Sequence, residues 1–477
     1  MKTIVFSILF LLTCFPIMAQ WEPDVRLTND PASSITSYNT EWCIASSGDT
    51  VYVTWYDNRD GNLEIYCKRS TDGGLTWEAD TRLTNDPATS TAPSVAVSGS
   101  VVHIVWLDTR DGNGEIYYKR STDGGVSWGT DIRLTNNTLW STTPSVSASG
   151  SWVHVVWSDQ DPGVKNEVYH KSSADGGLSW GPATLLTGAS TMAYNPSVAS
   201  SGSDVFVVWN DSRDGNLEIY FNHSSDGGLS WDAETRLTND LAISGSPSIA
   251  LSGSIIHVVW YDNRNGNKEI YYKHSSNGGQ TWLPDNRLTD DDGESLAPNI
   301  TSEGSAVNVV WRDDRDGNYE IYFKRSSDGG LSWEPDTRLT DNVSESQKPS
   351  ASISGSVTHV VWYDDRFLNQ EIFYKRNPAG GAITGIDEGS SSVNGNEILI
   401  YPNPASDKVN INLHMDDSGV TLISVYNVLG EMLIKREIRE SWTIIDISCL
   451  PKGIYFIGVT LEKKPVIRKK LIVSGQK

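Results

Sequence analysis

One ten-residue pattern gathers most of the side chains that could do chemistry. It reads D-x-R-[DN]-G-N-x-E-I-Y and occurs at Asp57–Tyr66, Asp108–Tyr117, Asp211–Tyr220, Asp262–Tyr271 and Asp313–Tyr322, with Gly114 in the free position of the second copy. Arginine grips carboxylates through paired hydrogen bonds, and aromatic faces stack on apolar or sugar rings. Asp, Arg, Glu and Tyr together are the groups a sugar site uses. The candidate ligand-binding residues are therefore Arg59, Arg110, Arg213, Arg264, Arg315 and Arg366, with Glu64, Glu115, Glu218, Glu269, Glu320 and Glu371. A second reading needs no ligand. The same Asp, Arg and Glu would serve as an ion-paired lock, repeated because every copy needs the same turn.

Two copies depart from the pattern. The third reads SDQDPGVKNEVYH (Ser158–His170), with one residue inserted and Gln160 or Asp161 where Arg would stand. The seventh reads YDDRFLNQEIFY (Tyr363–Tyr374), with Phe367 and Leu368 replacing the Gly-Asn context. Broken symmetry marks either a site or drift. The acidic spacing lacks the D-x-D-x-D-G ladder of a calcium loop, and no metal or other cofactor is implied. His103, His154, His257 and His359 share one position, which Tyr52, Phe206 and Asn308 fill in other copies. Exchange with Phe and Tyr points to packing between repeats and away from metal binding.

The elements that carry these loops are written into a long period. Trp55, Trp106, Trp157, Trp209, Trp260, Trp311 and Trp362 follow one another at 51 or 52 residues, the mark of a repeat architecture. Each repeat holds four β-branched and aromatic runs bounded by Gly, Asp or Asn; the second copy has Pro93–Gly99, Val101–Asp108, Glu115–Ser121 and Ser127–Thr135. Such runs read as strands. The second run is apolar on both faces and must be covered on both sides. Four-stranded sheets stacked face to face around an axis, a β-propeller, meet that need. Residues Trp21–Asp30, WEPDVRLTND, match a fourth run (Trp77–Asp86 reads WEADTRLTND), while the seventh repeat stops after Glu371–Arg376 without one. The first strand is thus expected to complete the last sheet and remove two open edges. Alternation of strand direction puts the D-x-R loops on one face of the propeller.

Between the third and fourth runs lies S-x-D-G-G-x-[ST]-W, at Ser70–Trp77, Ser121–Trp128, Ser173–Trp180, Ser224–Trp231 and Ser326–Trp333, with Asn277 for Asp in Ser275–Trp282. The Asp can accept from backbone N–H groups of its own turn, the glycines permit positive φ, and the Trp can fold back as a plug. On these motifs the stretch from Trp21 to Arg376 resembles the Asp-box, or bacterial neuraminidase repeat, propellers of the sialidase superfamily. The resemblance implies that Asp72, Asp123, Asp175, Asp226, Asn277 and Asp328 are structural and lie on the face away from any site. It also implies a possible exo-α-sialidase chemistry: three arginines for the substrate carboxylate, a Tyr–Glu nucleophile pair and an Asp acid/base. Those roles need non-equivalent residues converging on one point, whereas this chain supplies them almost identically in each copy. No residue is carried over as catalytic. Binding of a glycan or other extracellular polymer is the main expectation. An exo-α-sialidase and a non-catalytic adhesion or scaffold propeller are the alternatives.

The 477-residue chain carries a formal net charge of −22, which argues against nucleic acid or an anionic membrane as partner. Residues 1–19 read as a secretory signal peptide, and no later segment is apolar enough to cross a membrane. After cleavage Cys43, Cys67 and Cys449 remain; an odd count without framework spacing points to buried free thiols. Residues 377–395 are Gly/Ser-rich and read as a linker. Residues 396–477 alternate as short strands and suggest a small β-sandwich. YPNP, VYNVLGEML, LPKGIYFIGV and a basic end followed by LIV resemble the type A C-terminal sorting domain of type IX secretion. That resemblance implies export through the outer membrane of a Gram-negative bacterium, engagement of the secretion machinery, and removal of the domain near the linker. The expected whole is all-β: a seven-bladed β-propeller closed by its N-terminal strand (21–376), then the sandwich, acting as a secreted or surface-held monomer.

Overall fold

The computed structural model describes residues 21–37, 42–161, 165–188, 192–367 and 369–378, together with strands between 398 and 473. The signal peptide and nearly all of the linker lie outside the described residues. The chain divides into two compact units, residues 1–382 and 383–477. Among the described residues every regular element is a strand, gathered into nine antiparallel sheets of roughly four strands.

Seven of those sheets form the first unit in a propeller-like arrangement. The second repeat shows the plan: Ser90–Ser98, Val101–Asp108, Glu115–Ser121 and the short Ile132–Arg133 pair in that order. The second strand is buried along nearly its whole length, as a both-sided apolar run requires. The seven tryptophans of the 51-residue period are at most 1% exposed. The N-terminal strand Val25–Arg26 pairs with Glu371–Asn377, setting Val25 against Tyr374 and Arg26 against Phe373.

The first strands of successive repeats are tied by one recurrent bond. Val146 N donates to Ser94 Oγ (3.3 Å), Val198 N to Ser145 Oγ (3.4 Å), Ile249 N to Ser197 Oγ (3.4 Å) and Ile300 N to Ser248 Oγ (3.3 Å). Ala351 N to Asn299 Oδ1 (2.9 Å) continues the series, and Cys43 N to Ser350 Oγ (3.2 Å) joins the seventh repeat to the first. Where Cys43 replaces the serine, Val95 N turns to the Trp42 carbonyl at 2.9 Å. A cavity of about 230 Å3 is lined by first-strand residues of every repeat, Ile44, Val95, Val146, Val198, Ala250 and Ser352 among them.

The S-x-D-G-G-x-[ST]-W turns are held as their composition predicts. Asp72 accepts from Thr76 N (2.8 Å) and Thr76 Oγ1 (2.6 Å), and Ser70 Oγ accepts from Gly74 N (2.9 Å). These bonds, led by the Thr76 hydroxyl, hold the Asp72 carboxyl down at about 2. Asn277 keeps the same turn, accepting from Thr281 N at 3.0 Å. Gly74 has φ +83°, and a Cβ there would overlap the Tyr374 hydroxyl. The tryptophans plug the neighbouring repeat edge-on: Trp77 meets Tyr374, Trp180 meets Tyr118 and Trp333 meets Tyr272, each with ring centroids 4.9 Å apart.

His103, His257 and His359 are buried, each with Nδ1 on a tyrosine hydroxyl of the next strand (Tyr118, Tyr272, Tyr374) at 2.7–2.8 Å. His154 meets His170 at 3.1 Å. Cys43 and Cys67 are buried and form no disulfide. The strands beside them, Ile44–Ser47 and Glu64–Ser70, both pair with Thr50–Asp57 and not with each other. The second unit has a three-stranded and a four-stranded sheet. Val409, Ile411 and Ile445 from one, and Ile423, Val425, Tyr455, Ile457 and Leu471 from the other, share one buried cluster.

Candidate functional site

The D-x-R loops join the second and third strands, so all open at one end of the sheets. The strand Asp places its carboxylate inside the sheet end. Asp57, Asp108, Asp211, Asp262, Asp313 and Asp364 are each 0% exposed. Each is met by the arginine two residues later. In the sixth repeat Arg315 ion-pairs with Asp313 (2.6 Å), Asp336 (2.9 Å) and Asp291 of the preceding repeat (2.7 Å), and lies 4.3 Å over the Tyr322 ring. Arg59 repeats this with Asp57, Asp80 and Asp30, and Arg264 with Asp262, Asp285 and Asp240. Arg110, Arg213 and Arg366 hold two carboxylates each: Asp108 and Asp131, Asp211 and Glu234, Asp364 and Asp24. Burial opposes the carboxylate charge of Asp313, but the Arg315 bonds, with Ser295 and Trp311, outweigh it and lower its pKa.

Glu64, Glu115, Glu218, Glu269, Glu320 and Glu371 are also 0% exposed. Each meets an arginine of the short fourth strand: Glu115 meets Arg133 and Glu269 meets Arg287 (both 2.7 Å), Glu64 meets Arg82 (2.8 Å), Glu320 meets Arg338 (3.0 Å). Glu218 meets Arg236, and Glu371 meets Arg26 of the N-terminal strand. The loop Asn adds another bond, Asn62 Nδ2 to Glu64 Oε1 at 3.0 Å. Tyr66, Tyr117, Tyr220 and Tyr322 donate to Asp60, Asp111, Asp214 and Asp316, and Tyr271 bonds the Asn265 side chain. Burial first, then the bonded carboxylate, pushes the first four phenols well up. That is opposite to the activation a phenolate nucleophile needs.

The third repeat shows what the arginine does. Asp159 has none beside it and takes Trp157 Nε1 (2.8 Å), Ser141 Oγ (2.6 Å) and Asn137 Nδ2 (3.1 Å) instead. Burial then wins and its pKa is raised. In the seventh repeat Phe367 stacks on Phe373 and lies 4.3 Å under Arg26, so that departure supplies packing.

The asymmetric chemistry lies in positions the repeat leaves free. The residue between the Trp and Asp of the second strand is Tyr56, Leu107, Ser158, Asn210, Tyr261, Arg312 or Tyr363. The free loop position is Leu63, Gly114, Asn166, Leu217, Lys268, Tyr319 or Gln370. The sixth and seventh repeats bring several of these together. Arg312 lies 4.5 Å over Tyr319 and gives Nη1 to Gln347, whose Nε2 donates to Glu345 Oε2 at 2.7 Å. Arg312, Glu345, Gln347, Tyr363, Asp365 and Gln370 line a cavity of about 240 Å3. The signal that finds them is divergence among copies, the reverse of the recurrence that singles out the D-x-R arginines.

Residues 399–474 match the family described as "Secretion system C-terminal sorting domain". The chain therefore ends in a sorting domain of type IX secretion, which directs it out of a Gram-negative cell to the surface or medium through that machinery. No helix of the described residues is long and apolar enough to cross a membrane. An endo-acting ulvan lyase of Formosa agariphila is 27% identical over 158 residues, 31% of this chain and 28% of that protein. A beta-agarase D of Zobellia galactanivorans is 30% identical over 78 residues, 16% of this chain and 15% of that protein. The chain thus spans less than a third of either relative. A solved PL25 ulvan lyase bound to -[GlcA(1-4)Rha3S]- overlays with a TM-score of 0.51 at 11% identity, over 74% of this chain and 95% of that one. That likeness is one of fold.

Proposed function

We propose that the mature protein is a seven-bladed β-propeller, closed by strand Val25–Arg26, that binds an extracellular polysaccharide on the D-x-R face at one place. That place is the cavity between the sixth and seventh repeats. Closure is supported by the Val25–Tyr374 pairing and by the Ser350–Cys43 bond that continues the first-strand series. The second unit is read as a β-sandwich that serves export and is removed near the linker. Polysaccharide as the ligand class is supported by the names of the relatives, a polysaccharide lyase and an agarase.

The observation that carries the single site is the state of the arginines. The six D-x-R arginines are each spent on two or three carboxylates and are 19–24% exposed. They act as locks that let a blade bury its strand Asp, as the fourth-strand arginines do for its Glu. Arg312 stands outside that scheme and lines a cavity. A sialidase would need three arginines turned to one carboxylate and an activated phenol; the ion pairs and the raised tyrosines oppose both.

Retention on a panel of immobilised algal and plant polysaccharides tests this. Gln370→Ala and Arg312→Ala should weaken retention at least ~10-fold, the loss of about 1.4 kcal/mol or more from removed hydrogen bonds, with melting temperature unchanged in Gln370→Ala. Arg264→Ala should do the converse. It strands buried Asp262, costing about 3 kcal/mol of stability, and leaves binding per folded molecule intact. Retention that falls with Arg264 and survives loss of Gln370 would restore the repeated arginines as the site.

A further inference from the structure

We propose that the cavity between the sixth and seventh repeats takes a neutral, hydroxyl-rich sugar residue and discriminates against carboxylated or sulfated ones; this rests on the polysaccharide-binding reading above. The charge of the lining is the first reason. Among the described lining residues Arg312 is the one cation, against the two carboxylates of Glu345 and Asp365. An anionic sugar would meet a net negative wall on a protein of net charge −22.

The state of the guanidinium is the second. Arginine recognises an anion with two parallel N–H groups, along either its Nη1/Nη2 or its Nε/Nη2 edge. Here Nη1 is engaged by Gln347 Oε1, and Nε is buried away from solvent. Both two-point edges are compromised, and the group is left to give single hydrogen bonds. Gln347 is 7% exposed, so the amide that restrains it is itself fixed.

The third reason is the balance of donors and acceptors. Two carboxylates accept, two amides do both, and one guanidinium donates. Sugar hydroxyls donate and accept at once, so a vicinal diol satisfies such a mixture, while a carboxylate or sulfate only accepts. Tyr363 supplies an aromatic wall, and Tyr319 lies beneath Arg312. An apolar sugar face stacks on such rings.

The full chain is run on native gels containing dissolved agarose, an unsubstituted β-glucan, alginate, ulvan or chitosan, at low and high salt. Retardation by at least one neutral polymer, insensitive to salt, is expected. Asp365→Asn and Gln370→Ala should each reduce it at least tenfold, with thermal unfolding unchanged. Retardation confined to alginate or ulvan, lost in high salt and in Arg312→Ala, would overturn the neutral class while upholding polysaccharide binding. Retardation by chitosan alone would overturn it likewise. Retardation by none of the five would overturn the polysaccharide reading itself.

Discussion

A chain lacking Trp21–Thr28 is expected to lose about 5 kcal/mol or more of stability. The loss has two main parts. Leu27 is 5% exposed, and its burial contributes about 2 kcal/mol. Glu371, 0% exposed, would lose both Arg26 and Thr28 and keep the Asn369 amide (2.8 Å), an underpaired carboxylate at a cost of about 3 kcal/mol. Smaller losses add to these. Arg366 and Lys375 would lose Asp24 (3.0 and 2.9 Å), and Trp21 would leave the Phe323 ring 4.9 Å away. Native domains are stable by only about 5–15 kcal/mol, so the truncated chain should melt far below the intact one in a thermal or urea scan. A synthetic peptide spanning residues 21–30 should restore part of the loss. An unchanged melting temperature would mean that the N-terminal strand is an ornament on a sheet already complete.

The second large effect is in acid. Burial holds the imidazoles of His103 at about 4 and of His257 and His359 at about 3. An unfolded histidine titrates near ~6.5. As pH falls below that value the unfolded chain takes up protons that the folded chain refuses, so stability falls with pH. The window runs from about 6.5 down to the folded values of 3 to 4. Each histidine should cost on the order of 3 kcal/mol by pH 4. The side chains facing these rings are Tyr118 and Arg120, Tyr272 and His274, and Tyr374 and Arg376. None offers a carboxylate to stabilise the imidazolium. His257→Phe copies the residue that stands at Phe206 in the fourth repeat. It should flatten the acid limb by its share while losing about 1 kcal/mol at neutral pH for the Tyr272 bond. An acid limb of unaltered slope in that variant would place the sensitivity elsewhere.

The sequence and the structure agree best where a residue recurs. Trp55 to Trp362 announce the repeat, the turn composition of Ser70–Trp77 announces a self-bonded hairpin, and the match of Trp21–Asp30 to Trp77–Asp86 announces the strand that pairs with Glu371–Asn377. Recurrence is visible because each copy solves the same local problem. What stayed hidden depends on how copies meet. The bulge in the first strands of the second to seventh repeats puts Ala92, Thr143, Asn195, Ser246, Ala297 and Lys348 at φ of 50–53°. Nothing in those six side chains demands a left-handed backbone. Each precedes a proline, and the positions were legible only as strand. The cavity was hidden for the same reason. Arg312 and Gln370 are 58 residues apart in sequence and become neighbours only when the sixth sheet packs on the seventh. The D-x-R arginines drew attention because guanidinium beside tyrosine is sugar-site chemistry. Whether such an arginine faces a ligand or a buried aspartate is decided by the depth of Asp57 and its counterparts, which a loop sequence does not state.

One divergent cavity, and not a ring of equivalent loops, is proposed to bind the polymer. Isothermal titration of the folded chain with a short oligosaccharide of the best-retained polysaccharide tests it most directly, because the count of sites does not depend on knowing the sugar in advance. One site per chain is expected, abolished by Gln370→Ala. Several equivalent sites per chain that persist in Gln370→Ala would contradict it.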